Sequence, residues 1–95
     1  MTTHYRDKSE IVRQILDTVN SSGAITKTKL MYRSFLSYNQ IKEYLTLLTE
    51  NDLLSYDSIT HTYKTTEKGV RLLQLCNELE EMMKKVSQSS PRSRQ

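Results

Sequence analysis

Apolar residues in this chain keep a helical spacing everywhere except between residues 53 and 65, and that one break in period limits the folds open to it. Ile11, Ile15, Leu16 and Val19 fall on one helical face, and Asp7 followed by Glu10 supplies a capping box in front of them. Asn20-Ser21-Ser22-Gly23 ends this first helix, with Gly23 suited to a left-handed turn. Ala24-Ile25 is long enough only for a small strand. Thr26 caps a second helix that reaches about Ser34 and buries Leu30 and Met31. After a break at Ser34-Phe35-Leu36, Ser37 and Gln40 form another capping box and open a third helix. It runs to about Glu50, with Ile41, Leu45 and Leu48 as its buried stripe and Tyr44 beside it. The period then changes. Residues 53–57 and 62–65 are short and rich in Leu, Tyr and Thr, and they read as two strands of a hairpin. The connector at 58–61 has no glycine, which argues against a two-residue primed turn.

Helical spacing returns for a long last helix, about 66–86. Leu72, Leu75, Leu79, Met82 and Val86 alternate at steps of three and four, and Cys76 and Met83 widen the stripe. Twenty residues of helix span about 30 Å, more than three short helices can cover. The stripe of Leu72, Leu75, Leu79, Met82, Met83 and Val86 therefore predicts a homodimer joined along this helix. The competing arrangement folds the helix back on the first one.

Composition narrows the function. Only two glycines and one proline disfavour a sandwich or barrel built on tight turns. One cysteine excludes an internal disulfide, and with two histidines it excludes the usual four-ligand zinc sites. No cofactor or metal is expected. No apolar run exceeds three residues, so neither a membrane span nor a signal-peptide core is expected, and the chain reads as intracellular and cytoplasmic. The formal net charge is +3, which permits a nucleic-acid partner without requiring one. It is uneven: +3 over residues 1–33, −2 over 34–65 and +2 over 66–95. One folded domain, 1–86, is followed by a Ser-, Gln- and Arg-rich tail, 87–95, that is expected to be disordered. Catalysis finds no footing. Glu78, Glu80 and Glu81 read as solvated helix charge, His4 as part of a frayed terminus, and Cys76 as a structural thiol.

The predicted order is helix, helix, short turn, helix, hairpin, long helix. It is the order of a winged helix-turn-helix domain, mainly α with a small β-hairpin and a long C-terminal dimerisation helix. In that fold the third helix enters the major groove and the wing reaches the flanking backbone. Specific residues carry a family likeness. The run Thr26-Lys27-Thr28-Lys29-Leu30-Met31-Tyr32, then Leu36-Ser37-Tyr38-Asn39-Gln40-Ile41 and Tyr44-Leu45, resembles the small archaeal winged helix-turn-helix DNA-binding proteins. These include dimeric chromatin-associated proteins of about ten kilodaltons and ArnR-like regulators. Thr66-Glu67-Lys68-Gly69 continues the match, which spans roughly 8–86. The resemblance implies double-stranded DNA binding, a nucleoid location and dimerisation through an antiparallel C-terminal coiled coil. The chain departs from the family at Asp52, where glycine is usual, and Asn51 is expected to take the left-handed position instead.

Candidate contacts follow from that placement. Lys27, Lys29 and Arg33 on the second helix would meet flanking phosphates, helped by backbone N–H groups at the helix starts. Ser37, Tyr38, Asn39 and Lys42 occupy the first turns of the third helix. There Asn39 can pair with adenine, Lys42 with guanine, and Tyr38 with a phosphate. His61 and Lys64 would touch the backbone from the wing. Glu43 and Glu50 on the same helix weaken general attraction to DNA and leave open a protein-interaction module as the alternative. RNA binding is a third reading, set back by the lack of a tyrosine- or phenylalanine-rich strand platform.

Overall fold

The computed structural model describes residues 7–88. Its elements are α1 (Lys8–Ser22), β1 (Ile25–Thr26), α2 (Lys27–Ser34), α3 (Tyr38–Glu50), β2 (Leu54–Asp57), β3 (Thr62–Thr65) and α4 (Glu67–Gln88). Local chemistry sets the helix starts. The Asp7 side chain accepts from the Glu10 N–H, and the Thr26 side chain accepts from the Lys29 N–H. At Ser37 the box is reciprocal, with the hydroxyl taking the Gln40 N–H and the Gln40 side chain taking the Ser37 N–H.

Two helices end alike. Leu36 N–H reaches back to the Met31 carbonyl while Phe35 N–H reaches Tyr32, and Leu53 N–H reaches Leu48 while Asp52 N–H reaches Thr49. Both are Schellman closures, which need a left-handed residue just past the helix. Here that residue is Phe35 (φ 57) after α2 and Asp52 (φ 62) after α3. The expected shift onto Asn51 does not occur, since Asn51 sits at φ −93. The reason is geometric: the closing bond from Leu53 to Leu48 fixes which residue turns. α1 instead ends on Gly23 at φ 80.

β1 pairs with β3, and β3 with β2, giving an antiparallel sheet in the order β1-β3-β2. The core joins Ile11, Ile15, Leu16 and Val19 of α1 to Ile25, Leu30, Leu36, Ile41, Leu45, Leu48, Leu54 and Leu73. Each such side chain contributes roughly 1.5–3 kcal/mol by leaving water. Leu73 is the core residue of α4, and Leu72 is half-buried against the same cluster. Leu72 thus packs within its own domain and drops out of the predicted free seam. The seam begins at Leu75, and Leu75, Leu79, Met82, Met83 and Val86 are 57–64% exposed.

The sequence Thr66-Glu67-Lys68-Gly69 fastens α4 to the end of α3. The Thr66 hydroxyl accepts from the Gly69 N–H and donates to the Asp52 carbonyl, and Lys68 donates to the Asn51 carbonyl. A Cβ at Gly69 would overlap the Leu53 carbonyl oxygen, so only glycine allows this approach. The helix continues to Gln88, two residues past the expected end. The rest of the expected tail and His4 lie outside the described residues. No described helix is long and apolar enough to cross a membrane. The arrangement is that of a winged helix-turn-helix: α2 and α3 form the helix-turn-helix, and β2–β3 the wing.

Candidate nucleic-acid interface

α3 buries Ile41, Leu45 and Leu48, so helical geometry turns Asn39, Lys42, Glu43, Thr46 and Glu50 to solvent. The first four of these line one shallow surface groove. Ser37 does not join them as a free hydroxyl, because its oxygen is engaged in capping the helix. The same bond uses one of the backbone donors that the start of α3 would otherwise offer an anion.

Tyr38 is held by α2. Lys27 Nζ lies 5.0 Å from the centre of its ring and donates to its hydroxyl at 3.5 Å. Lys27 is itself half-buried, while Lys29 and Arg33 are exposed. The three basic residues of α2 therefore do not form one patch. Lys29 and Arg33 are i,i+4 neighbours, and Lys27 stands roughly 120° or more around the helix from both. Arg33 Nη1 donates to the Ser22 hydroxyl at 2.9 Å, which draws it toward the end of α1.

The wing divides in the same way. Ser55 pairs with Lys64 and Asp57 with Thr62, so these four side chains share one face of the hairpin. Lys64 stands there near Asp57. The Asp57 carboxylate accepts from the backbone N–H groups of Ile59 at 2.8 Å and Thr60 at 3.4 Å. Those two bonds, with a smaller contribution from Lys64, hold its pKa below the usual carboxylate range. His61 takes the left-handed position of the four-residue connector at φ 58, a role the sequence left without a glycine.

The opposite face of the wing carries a feature the sequence reading missed. Tyr56 and Tyr63 are register partners, with ring centres 4.8 Å apart and planes tilted 45°. The Tyr56 hydroxyl is 2.9 Å from His61 Nδ1. Burial raises the pKa of the Tyr63 phenol, partly opposed by the charge of Lys27. Thr26 pairs with Thr62, next to Tyr63, so Lys27 leaves the edge of the wing sheet one residue later and packs against Tyr38 of α3. The wing thus carries a tyrosine pair on this face, with Tyr56 exposed and Tyr63 half-buried. Only the register reveals it, since the two tyrosines are seven positions apart in the chain.

Among the described residues no group of three His, Cys, Asp or Glu is placed to hold a metal ion. Cys76 is half-buried beside Arg13, Leu79 and Met83 in a groove between α1 and α4.

A family model described as winged helix-turn-helix matches residues 5–84. Among solved structures, the chain is similar to Sso10a-2, a DNA-binding protein from Sulfolobus solfataricus. The TM-score is 0.76 at 22% identity, over 92% of this chain and 92% of that one. At that identity the likeness concerns the fold. Comparison with curated protein sequences gives no match.

Proposed function

Since the chain belongs to the winged helix-turn-helix family, we propose that it binds double-stranded DNA as a homodimer, acting as a transcriptional regulator or chromatin-associated protein in the nucleoid. The observation that carries this reading is the exposed arc of Asn39, Lys42 and Thr46 on α3, flanked by Lys27 and Tyr38. In this reading α3 lies in the major groove, where Asn39 meets adenine and Lys42 meets guanine. Lys27, Lys29 and Arg33 meet phosphates on either side, and His61 and Lys64 meet the backbone from the wing. Similarity to Sso10a-2, itself a DNA-binding protein, supports the partner class. No catalytic role and no cofactor enter the proposal.

The dimer follows from the bare part of α4. Leu79 and Val86 occupy a positions of a heptad, Leu75 and Met82 occupy d, Glu78 and Lys85 occupy g, and Cys76 and Met83 occupy e. Antiparallel pairing sets Leu79 of one protomer against Met82 of its partner, and Leu75 against Val86. It also brings Glu78 beside Lys85 and Cys76 beside Met83. Parallel pairing would instead set Glu78 beside Met83, charge against thioether. The flanks therefore favour the antiparallel form.

The test is duplex binding by fluorescence anisotropy at two salt concentrations. Binding should weaken steeply with salt. Lys42→Ala combined with Arg33→Ala should weaken it by roughly tenfold or more. An unmoved salt midpoint in that variant would overturn the assignment. The acidic Glu43 and Glu50 favour the alternative, a protein-interaction module. That reading gains if the folded wild-type chain fails to bind duplex even at low salt.

A further inference from the structure

The wing carries aromatic surface that the duplex reading leaves unused. Tyr56 is 48% exposed and Tyr38 is 53% exposed, although each belongs to a packed cluster. Their hydroxyls are already engaged, Tyr56 with His61 Nδ1 at 2.9 Å and Tyr38 with Lys27 Nζ at 3.5 Å. What these residues offer a ligand is therefore mainly ring surface, with Lys27 beside the Tyr38 ring. A tyrosine pair that only strengthened the hairpin would need Tyr56 and Tyr63 alone. It would not need a third ring, from another element, seated against the lysine whose charge also bears on Tyr63.

We propose that the rings exposed on the wing and at the start of α3 bind single-stranded DNA, with unpaired bases stacking on Tyr56 and Tyr38 and the strand's phosphates drawn to Lys27. Aromatic rings beside a basic group are the elements by which proteins hold single strands without reading their sequence. A duplex cannot use them in this way, because its bases are already stacked on one another. Tyr38 opens α3 one residue before Asn39, so this surface adjoins the exposed arc that the duplex reading uses. The proposal goes beyond duplex binding and stands or falls separately from it.

The experiment compares a fluorescein-labelled fifteen-nucleotide oligothymidylate, the matching oligouridylate and a short duplex. Tyr56→Leu keeps apolar bulk in the hairpin and removes the ring, whereas Tyr56→Phe keeps the ring and removes the hydroxyl. Wild-type protein should bind oligothymidylate with a loss of tyrosine emission, which is readable because the chain has six tyrosines and no tryptophan. Tyr56→Leu should weaken that binding about tenfold and change duplex affinity less than about twofold. Tyr56→Phe should bind as wild type. Circular dichroism verifies that both variants fold, and Tyr56→Phe with the wild-type emission change keeps the test decisive if Tyr56→Leu does not. The proposal is overturned if wild type ignores oligothymidylate, if emission is unchanged on binding, if Tyr56→Phe loses as much as Tyr56→Leu, if both ligands weaken equally, or if oligouridylate binds more tightly. Oligothymidylate binding without duplex binding would sink the duplex reading and leave this one standing.

Discussion

The two halves of α4 share one apolar spacing and meet opposite fates. Near its start, Leu73 is 4% exposed, and the backbone at Gly69 lies against Leu53. Two turns later Leu79 is 60% exposed, and Met82, Met83 and Val86 beyond it are 57–64% exposed. Helix propensity does not decide these fates, since the anchored half holds the weaker helix formers Gly69, Val70 and Asn77 and the bare half the stronger Glu80, Glu81, Met82 and Lys84. What differs is whether a tertiary surface is within reach. The first half shows what a stripe contributes when it has a partner in its own domain, and the second shows a stripe still waiting for one.

Three perturbations bear on that contrast. The largest effect is expected at the anchored end. Gly69→Ala forces the backbone away from Leu53 and should cost about 3 kcal/mol, or roughly 15 °C in Tm, by thermal denaturation. A melt within a few degrees of wild type would mean that the anchored half is not held by this approach. The second acts on the bare end. Wild-type Tm should rise with protein concentration, as it does for any fold stabilised by association. Leu79→Glu with Met82→Glu should abolish that dependence and halve the mass seen by light scattering, while core burial stays intact. An unaltered mass would erase the distinction between the halves, because the exposed stripe would then not be the seam.

The smallest effect lies in the wing turn, which resembles the anchored end in being fixed by local bonds. Asp57 has a lowered pKa in the folded chain because Ile59 and Thr60 donate to its carboxylate. Its stabilising contribution is therefore complete above the ordinary carboxylate range and is lost as pH falls through the lowered folded value. The protection of the Ile59 and Thr60 amides, taken by NMR against the intrinsic exchange rate at each pH, should fall as the carboxyl protonates, with no matching change at Leu73. Asp57→Asn should flatten that dependence.

Much of the architecture was legible because it rests on local chemistry. The step from helical spacing to a Tyr- and Thr-rich hairpin and back can be seen without coordinates, and so can the pairing of Ser37 with Gln40. Non-local geometry could not be read in the same way. Leu72 and Leu73 are equally apolar, and only the seating of α4 against Leu53 decides which enters the core. Asp52 turns left-handed because a bond from Leu53 back to Leu48 requires it, although the residue itself gives little sign of doing so. In the candidate interface, the exposure of Asn39 and Lys42 followed from the buried stripe of α3. The split of Lys27 from Lys29 and Arg33 was also implicit in helical spacing, but Ser22 as the partner of Arg33 was not. The pairing of Tyr56 with Tyr63 depended on strand register, which a connector without glycine does not announce.

The fastening of α4 at Asn51, Asp52 and Leu53 leaves no loose joint between α3, the helix proposed to enter the major groove, and the rod that follows it. In the proposed dimer the rod is then a ruler. Lengthening it by one heptad between Leu75 and Leu79 in each protomer would carry each reading helix about 10.5 Å further from the seam, close to the rise of three base pairs. The interval between the two half-sites would thus be written in the residue count of α4, and changing that count would retune which operator spacing the protein accepts.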